Sequence, residues 1–293
     1  MPMPKELLVT ISDEASALYG VRFCAAFFKK KKLFKCTLLY IAPNVASGLS
    51  LLETQLAYQE LKQRQAMATA RGFEALERAR EMFVQSGVPD TNITLTLKHA
   101  EFGTAWDIIE EGVRGKFDAV VLGRRGLSRL GEYLDGSVSK TVATSGMDIP
   151  IWLCHMPDTS RSGVLLCVDG SEASLRVADH VGYMVAGERS HSVRLLYVVS
   201  PPKNGGDAAD GILSGALDAL QASGVEASRV VTEVVESNDV AQTILAELAR
   251  GRYAAVAVGR TGGDAHPVRR FFVGSVGRQL INAVSDAALW ICH

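Results

Sequence analysis

The chain carries no excess of either charge. Its 31 lysines and arginines face 32 aspartates and glutamates, a formal net charge of −1. The balance holds in both halves, with 19 basic and 17 acidic residues through position 155 and 12 and 15 beyond it. That excludes the basic field on which non-specific nucleic-acid binding depends. Cysteine is scarce. The five thiols, at 24, 36, 154, 167 and 292, are odd in number and lack metal-type spacing. All lie in apolar stretches, where a free thiol behaves as a small hydrophobe, and the pattern points to a reducing cytosol. No apolar run approaches the ~20 residues of a membrane span. Residues 1–11 pass straight into a strand-like run without signal-peptide architecture, so the expectation is a cytoplasmic protein with no membrane partner. The catalytic signatures G-x-S-x-G and H-E-x-x-H are missing. Gly131 and Gly136 have P-loop spacing, but no lysine follows. No G-x-G-x-x-G follows a first strand, which argues against a dinucleotide dehydrogenase.

What the chain does have is a second copy of itself. Ile151-Trp152-Leu153-Cys154-His155 returns as Leu289-Trp290-Ile291-Cys292-His293, 138 positions later. Gly136-Ser137-Val138 returns as Gly274-Ser275-Val276 at the same offset, and Ser86-Gly87-Val88 as Ser223-Gly224-Val225 at 137. At 136, Val121–Gly126 answers to Ala257–Gly262, and Arg114–Phe117 to Arg250–Tyr253. A nearly constant offset is what duplication followed by small loop changes leaves. A period this long means paired domains, not a solenoid of ~20–50-residue repeats. The expected domains are residues 1–155 and 163–293, joined by a short linker at 156–162.

Each copy alternates strand and helix. The first is expected to run strand 7–11, helix 16–32, strand 37–41, helix 51–85, strand 93–98, helix 104–113, strand 119–122, helix 137–145 and strand 149–154. The second repeats the order at 164–168, 172–186, 193–199, 208–222, 229–235, 239–249, 254–258, 275–284 and 287–292. Strands such as Ala119–Leu122 are apolar throughout, as in a parallel sheet with helices on both faces. The fold class is therefore α/β, with two doubly wound open sheets. Leu76, Ala79 and Phe83, and likewise Leu245, Leu248 and Ala249, are expected to mark buried helix faces. Lys29–Lys32 are expected at a solvated helix end, where cations complement the dipole, with no binding role. The terminal strands are expected to pair, removing an open edge.

The residues that carry chemistry follow the fourth strand. Gly123-Arg124-Arg125-Gly126 is followed, after nine intervening residues, by Gly136-Ser137, which is expected to open a helix. Glycines let the backbone turn and approach a ligand closely. Consecutive amides make an anion-binding concavity, and a helix N-terminus adds free N–H groups. The loop stands at the carboxyl end of a strand, where open α/β sheets bind ligands. This Gly-x2-Gly-x9-Gly-Ser spacing resembles the nucleotide-binding signature of the universal stress protein family. Val168-Asp169-Gly170-Ser171-Glu172-Ala173-Ser174 resembles that family's opening motif. The chain thus resembles a tandem universal stress protein along its whole length. The resemblance implies five parallel strands per domain in the order 3-2-1-4-5, with pairing through the fifth strands. It also implies, for some members, ATP or AMP binding. The first-strand aspartate and backbone at the end of strand two then hold the adenosine, and the glycine loop holds the phosphates, often with a divalent cation such as Mg2+.

Carried over by position, the resemblance divides between the copies. The first copy has Gly123, Gly126, Gly136, Ser137 and Val138, with Arg124 and Arg125 in the loop and Ile41 at the end of strand two. Its opening motif is eroded, so either Ser12 replaces the aspartate or Asp13 supplies it from a shifted position. The second copy has Asp169, with Val198, Gly259, Gly262, Gly274 and Ser275, but eleven residues separate Gly262 from Gly274, including Pro267, Phe271 and Phe272. Nucleotide is expected in the first copy. The Cys-His pairs are expected to be structural, and His99 to be a loop histidine. Three functions follow: a stress-response binding protein regulated by adenine nucleotide, a weak ATPase or nucleotide-dependent transferase, or a nucleotide-free scaffold. The want of a general base beside the phosphates favours binding over turnover. A protein partner is implied but not named, and a further dimer is compatible with domains paired within the chain.

Overall fold

The computed structural model describes residues 4–13, 15–44, 55–123, 149–201, 206–259 and 275–292. The first unit contains β1 (Lys5–Ile11), α1 (Leu18–Phe27), β2 (Phe34–Ala42), α2 (Gln55–Gln85), β3 (Ile93–His99), α3 (Thr104–Arg114), β4 (Ala119–Gly123) and β5 (Ile151–Cys154). The second contains β6 (Val164–Val168), α4 (Glu172–Val185), β7 (Val193–Val199), α5 (Gly206–Ala222), β8 (Val230–Glu236), α6 (Val240–Arg250), β9 (Ala255–Gly259), α7 (Ser275–Ala283) and β10 (Ala288–Cys292). The expected helix at 137–145 lies outside the described residues.

All ten strands belong to one sheet, in the order β3-β2-β1-β4-β5-β10-β9-β6-β7-β8. Within each unit every pair is parallel. The units meet where β5 and β10 run antiparallel, with Trp152 opposite Trp290 and Cys154 opposite Ala288. Central strands such as β4 are buried on both faces, which is why they read as unbroken apolar runs. Two hydrophobic clusters, one on each side of the sheet, each take residues from both units. The core therefore does not stop at the domain boundary.

Aromatic side chains fill the seam. The indoles of Trp152 and Trp290 stack with centroids 4.0 Å apart and planes 5° from parallel. Phe23 meets both edge-on. Phe27 stacks on His191 of the other unit at 4.0 Å. His191 Nδ1 accepts from Gly163 N–H at 2.9 Å, and Nε2 lies 2.8 Å from the carbonyl oxygen of Phe27. A ring that accepts at one nitrogen and donates at the other is neutral, and burial lowers the His191 pKa. Glu188, itself buried, accepts the backbone N–H groups of Lys29 at 2.8 Å and Lys30 at 3.2 Å.

That clasp corrects the expectation for the lysine run. The helix expected over 16–32 ends at Phe27, and a 3-10 turn covers Lys31–Leu33. The lysines do serve the helix end, since Lys29 Nζ donates to the Ala26 carbonyl and Lys31 Nζ to that of Ala25. Their backbone, however, binds the second unit and is not a freely solvated terminus. The Leu76–Ala79–Phe83 face is buried as expected. On α6 the buried face is Ala241, Ile244, Glu247 and Leu248, whereas Ala249 is exposed. The difference is one of helical phase, because the stripe follows the i, i+3, i+4 spacing from Ala241.

The repeated Arg-Gly-Lys-Phe and Arg-Gly-Arg-Tyr segments share a geometric cause. Lys116 and Arg252 occupy the left-handed region, with φ of 53° and 49°. The rings of Phe117 and Tyr253 fold back over Gly115 and Gly251. A Cβ there would stand 2.2 and 2.1 Å from ring atoms, so only glycine fits.

The units differ most between their second and third strands. Cys36 and Val193 hold matching places in β2 and β7 and are 157 positions apart, whereas Ile93 and Val230 in β3 and β8 are 137 apart. The first unit therefore carries 20 extra residues there. Helix α2 has 31 residues against 17 in α5. Thr69 Oγ1 lies 3.1 Å from Nε2 of His99, the last residue of β3. Residue 69 is thus level with the carboxyl edge of the sheet, and the turns before it stand beyond that edge.

Candidate functional site

Strand order reverses between β1 and β4 in the first unit and between β6 and β9 in the second. Such switch points leave a crevice at the carboxyl edge, because the flanking connections run to opposite faces of the sheet. Ser12 and Asp13 follow β1, Ile41 is the penultimate residue of β2, and Gly123 ends β4. These three strands are neighbours, so the four residues stand at one edge. In the second unit Asp169 follows β6, Val198 lies at the end of β7 and Gly259 ends β9. Ser275 opens α7. Arg124, Arg125, Gly126, Gly136, Ser137, Val138, Gly262 and Gly274 lie outside the described residues, as do Pro267, Phe271 and Phe272.

Strand register decides which residue corresponds to Asp169. Leu7 pairs with Ala119, and Val164 pairs with Ala255. Counting forward from Leu7 and Val164, Ser12 holds the position of Asp169 and Asp13 that of Gly170. The two turns are built differently. Gly170 has φ +82°, whereas Asp13 is not in the left-handed region. Asp13 instead turns its carboxylate to β2 and accepts the hydroxyl of Tyr40 at 2.8 Å. Thus the first unit has serine where the second has aspartate, and its neighbouring carboxylate is engaged by a tyrosine.

The second unit presents its aspartate in a local framework. Asp169 Oδ1 accepts both the N–H and the hydroxyl of Ser171, at 3.0 and 2.6 Å. Ser171 caps α4 by accepting the Ser174 N–H at 3.2 Å. Asp169 Oδ2 has no protein partner among the described residues. Gly259 brings β9 against the first turn of α4, where an added Cβ would lie 3.3 Å from Ala173 Cβ and 3.4 Å from Ser174 N. An open carboxylate oxygen beside a glycine-lined helix start suits the hydroxyls of a sugar more than a phosphate, which a carboxylate would repel.

The remaining candidates resolve as structure. Cys154 and Cys292 are buried, at opposite ends of the antiparallel pair. Burial drives the Cys154 thiol well up, which keeps it protonated and inert. His99 is exposed and meets Thr69. Among the described residues no group of three or more His, Cys, Asp or Glu side chains is placed to hold a metal ion. No described helix is long and apolar enough to cross a membrane. Two participants were not anticipated from sequence: Tyr40, the partner of Asp13, and Ser171, which orients Asp169. Tyr40 has a counterpart in Tyr197, but their 157-residue separation falls outside the 136–138 offsets that exposed the repeat.

A family model agrees with this architecture. Residues 3–154 and again 162–286 match the Universal stress protein family. The chain belongs to that family, with two copies of its domain in tandem. A search of curated proteins gives no match. Among solved structures, a universal stress protein from Archaeoglobus fulgidus DSM 4304 is similar over 99% of this chain and 96% of its own, at 17% identity and a TM-score of 0.65. A functionally unknown protein from Pseudomonas aeruginosa PAO1 is similar over 99% and 92%, at 9% identity and a TM-score of 0.54. A universal stress protein from Archaeoglobus fulgidus in complex with dAMP covers 45% of this chain and 98% of its own, at 19% identity and a TM-score of 0.34.

Proposed function

We propose that this chain is a cytoplasmic adenine-nucleotide-binding regulatory protein of the stress response. In this reading it is built from domains 1–155 and 163–293 with a linker at 156–162, and ATP or AMP occupies the first domain. The observation that carries nucleotide binding is the convergence of Ser12, Ile41 and Gly123 on the carboxyl edges of three adjacent strands at the switch point, and the choice of the first domain rests on the nine residues between Gly126 and Gly136 against eleven between Gly262 and Gly274. The phosphates lie along Gly123, Gly126, Gly136 and Ser137, with Arg124 and Arg125 supplying positive charge and Mg2+ accompanying a triphosphate. Backbone at Ile41 and Val138 completes the site, and Ser12 contacts the nucleoside. Unpaired cysteines support a reducing compartment.

A second reading places the nucleotide in the second domain. The open Oδ2 of Asp169, held by Ser171, favours it. Calorimetric titration with ATP plus Mg2+, and separately with AMP, decides between them. Gly126→Val is expected to abolish binding, while Asp169→Ala leaves it within about threefold. A Cβ at residue 126 blocks backbone approach and costs several charge-assisted bonds together. Loss of binding in Asp169→Ala with none in Gly126→Val transfers the site to the second domain. No binding by the unaltered protein leaves the scaffold function, and steady phosphate release from ATP would establish an enzyme.

A further inference from the structure

We propose that the outer edge of β8 is a dimerisation surface, which pairs antiparallel with the same edge of a second copy of this chain. The proposal does not rest on nucleotide binding. The two ends of the ten-stranded sheet are β3 and β8. Of these, only β8 leaves large apolar side chains exposed. Val231 and Val234 are 49% and 45% exposed, and alternation along the strand puts one on each face of the sheet. In β3 the apolar Ile93, Leu95 and Leu97 are all half-buried. The neighbouring helix there, α2, has 31 residues against the 17 of α5.

The ladder shows which backbone groups the edge offers. β8 pairs with β7 residue for residue from Val230 to Glu236, without a bulge. Just past the strand, the Ser237 N–H donates to the Val199 carbonyl at 2.9 Å. Backbone groups alternate sides along a strand. Val231, Glu233 and Val235, in step with Ser237, therefore bond inward to β7. Val230, Thr232, Val234 and Glu236 turn their N–H and carbonyl groups outward, where no described strand meets them. Such an edge is a template for another strand unless proline, lysine, a bulge or a free charge blunts it. β8 holds neither proline nor lysine. Its central charge, Glu233, is held by Arg194 at 3.3 Å and Arg250 at 3.0 Å.

The order of residues favours a second copy as the occupant. Under a two-fold axis through Thr232, that residue faces its own counterpart, and Val230 faces Val234. All three are β-branched with outward backbone, and each pair exchanges two hydrogen bonds. Glu233 then faces Val231, so no two carboxylates oppose. Centring the pair on Glu233 would set like charges against each other, which is destabilising. Centring it on Val234 would leave Val230 opposite Asn238, beyond the strand end. The chain already uses this solution at its middle, where β5 and β10 meet antiparallel with Trp152 opposite Trp290. A two-fold pair closes as a dimer and leaves β3 outermost.

The test is sedimentation velocity of the full chain from about 1 to about 300 µM, the range in which a small interface associates. The sedimentation coefficient is expected to rise from that of a monomer to that of a dimer. Thr232→Pro removes only an outward N–H and so keeps the ladder to β7. Thr232→Pro and Val234→Lys should each weaken dimerisation by roughly tenfold or more. Circular dichroism of both variants should match the parent. In a pair centred on Thr232 the two Cα atoms stand about 5.5 Å apart, within disulfide reach. Thr232→Cys should therefore form a covalent dimer under oxidised glutathione. Val234→Cys, whose counterpart lies farther along the strand, should not. The parent, with thiols that are buried or half-buried, is the control. A parent chain that stays monomeric throughout the range would overturn the proposal. So would dimers that persist in both Thr232→Pro and Val234→Lys, crosslinking at residue 234 in place of 232, or species that grow beyond the dimer, which require the β3 edge.

Discussion

His180 shows how far one side chain can diverge between two copies of a fold. It occupies in α4 the place that Phe23 holds in α1, 157 positions earlier, in step with β1 and β6. Both face the stacked indoles, but only His180 offers a hydrogen-bond acceptor, and its Nε2 takes the Trp152 Nε1–H at 3.0 Å. Trp290 Nε1, on the Phe23 side, has no hydrogen-bond partner among the described residues. Burial, with a smaller contribution from Lys5, holds His180 down to about 3. Because the folded pKa lies below that of the unfolded chain, acid protonates the unfolded chain first. The stability is whole above about pH 6.5 and is lost as pH falls toward 3. At pH 5 the loss should reach roughly 2 kcal/mol, and the lowered His191 adds to it with the same sign. His180→Phe leaves Trp152 Nε1 without an acceptor, costing ~1–3 kcal/mol at pH 7.5. The variant should nonetheless lose about 2 kcal/mol less than the parent between pH 7.5 and 5. Urea unfolding of both proteins at the two pH values measures this, and an unchanged difference would mean His180 is not held neutral.

At the scale of elements, α1 and α4 begin in different ways. Ser171 has extended backbone, with φ −72° and ψ 157°, and caps α4 through its hydroxyl. Ala17, before α1, has helical dihedrals and is itself the last residue of a 3-10 turn, with no side-chain cap. Ser171→Ala should therefore cost about 1 kcal/mol and increase hydrogen exchange in the first turn of α4. The reciprocal Ala17→Ser should give no such gain. A hydroxyl at a position with helical backbone does not reach the free N–H groups, and this one would also be buried. Chemical denaturation of the two variants checks both statements. A stabilised Ala17→Ser protein would show that α1 adopts a capped start. Ser171 also orients Asp169, so the same variant is expected to disturb the second domain's edge without affecting the first.

At the scale of the molecule, the units share one sheet, and each of the two hydrophobic clusters takes residues from both units. The seam consists of the β5–β10 pair, the Trp152–Trp290 stack, the Phe27–His191 contact and the Glu188 clasp. The linker adds surface bonds of its own, in which Asp158 accepts Arg252 at 2.9 Å. Those bonds tie it to the second unit and are too exposed to hold the halves together. A chain cut at a protease site inserted between Thr159 and Ser160 should therefore stay whole by size-exclusion chromatography. Trp290→Ala should cost ~3–5 kcal/mol and promote separation of the cut halves. Halves that part in the parent protein would mean that the linker, and not the seam, joins them.

The sequence by itself determined the class of fold, the duplication and the identity of the pairing strands. Each was written in local pattern: apolar runs for strands buried on both faces, helical periodicity in Leu76, Ala79 and Phe83, and the repeated Ile-Trp-Leu-Cys-His ending. It also marked residues of the candidate edge, because the glycines that follow the fourth strand recur in both copies, Gly123 and Gly126 answering to Gly259 and Gly262. Only the tertiary structure decided that Ser12, not Asp13, stands at the aspartate position, since that depends on strand register and on the hydroxyl of Tyr40 drawing Asp13 aside. The same holds for the role of the lysine run, whose backbone amides find Glu188 more than 150 positions away. Such contacts leave no trace in periodicity or composition, because they arise only when two copies, each complete in pattern, are brought together across a shared edge.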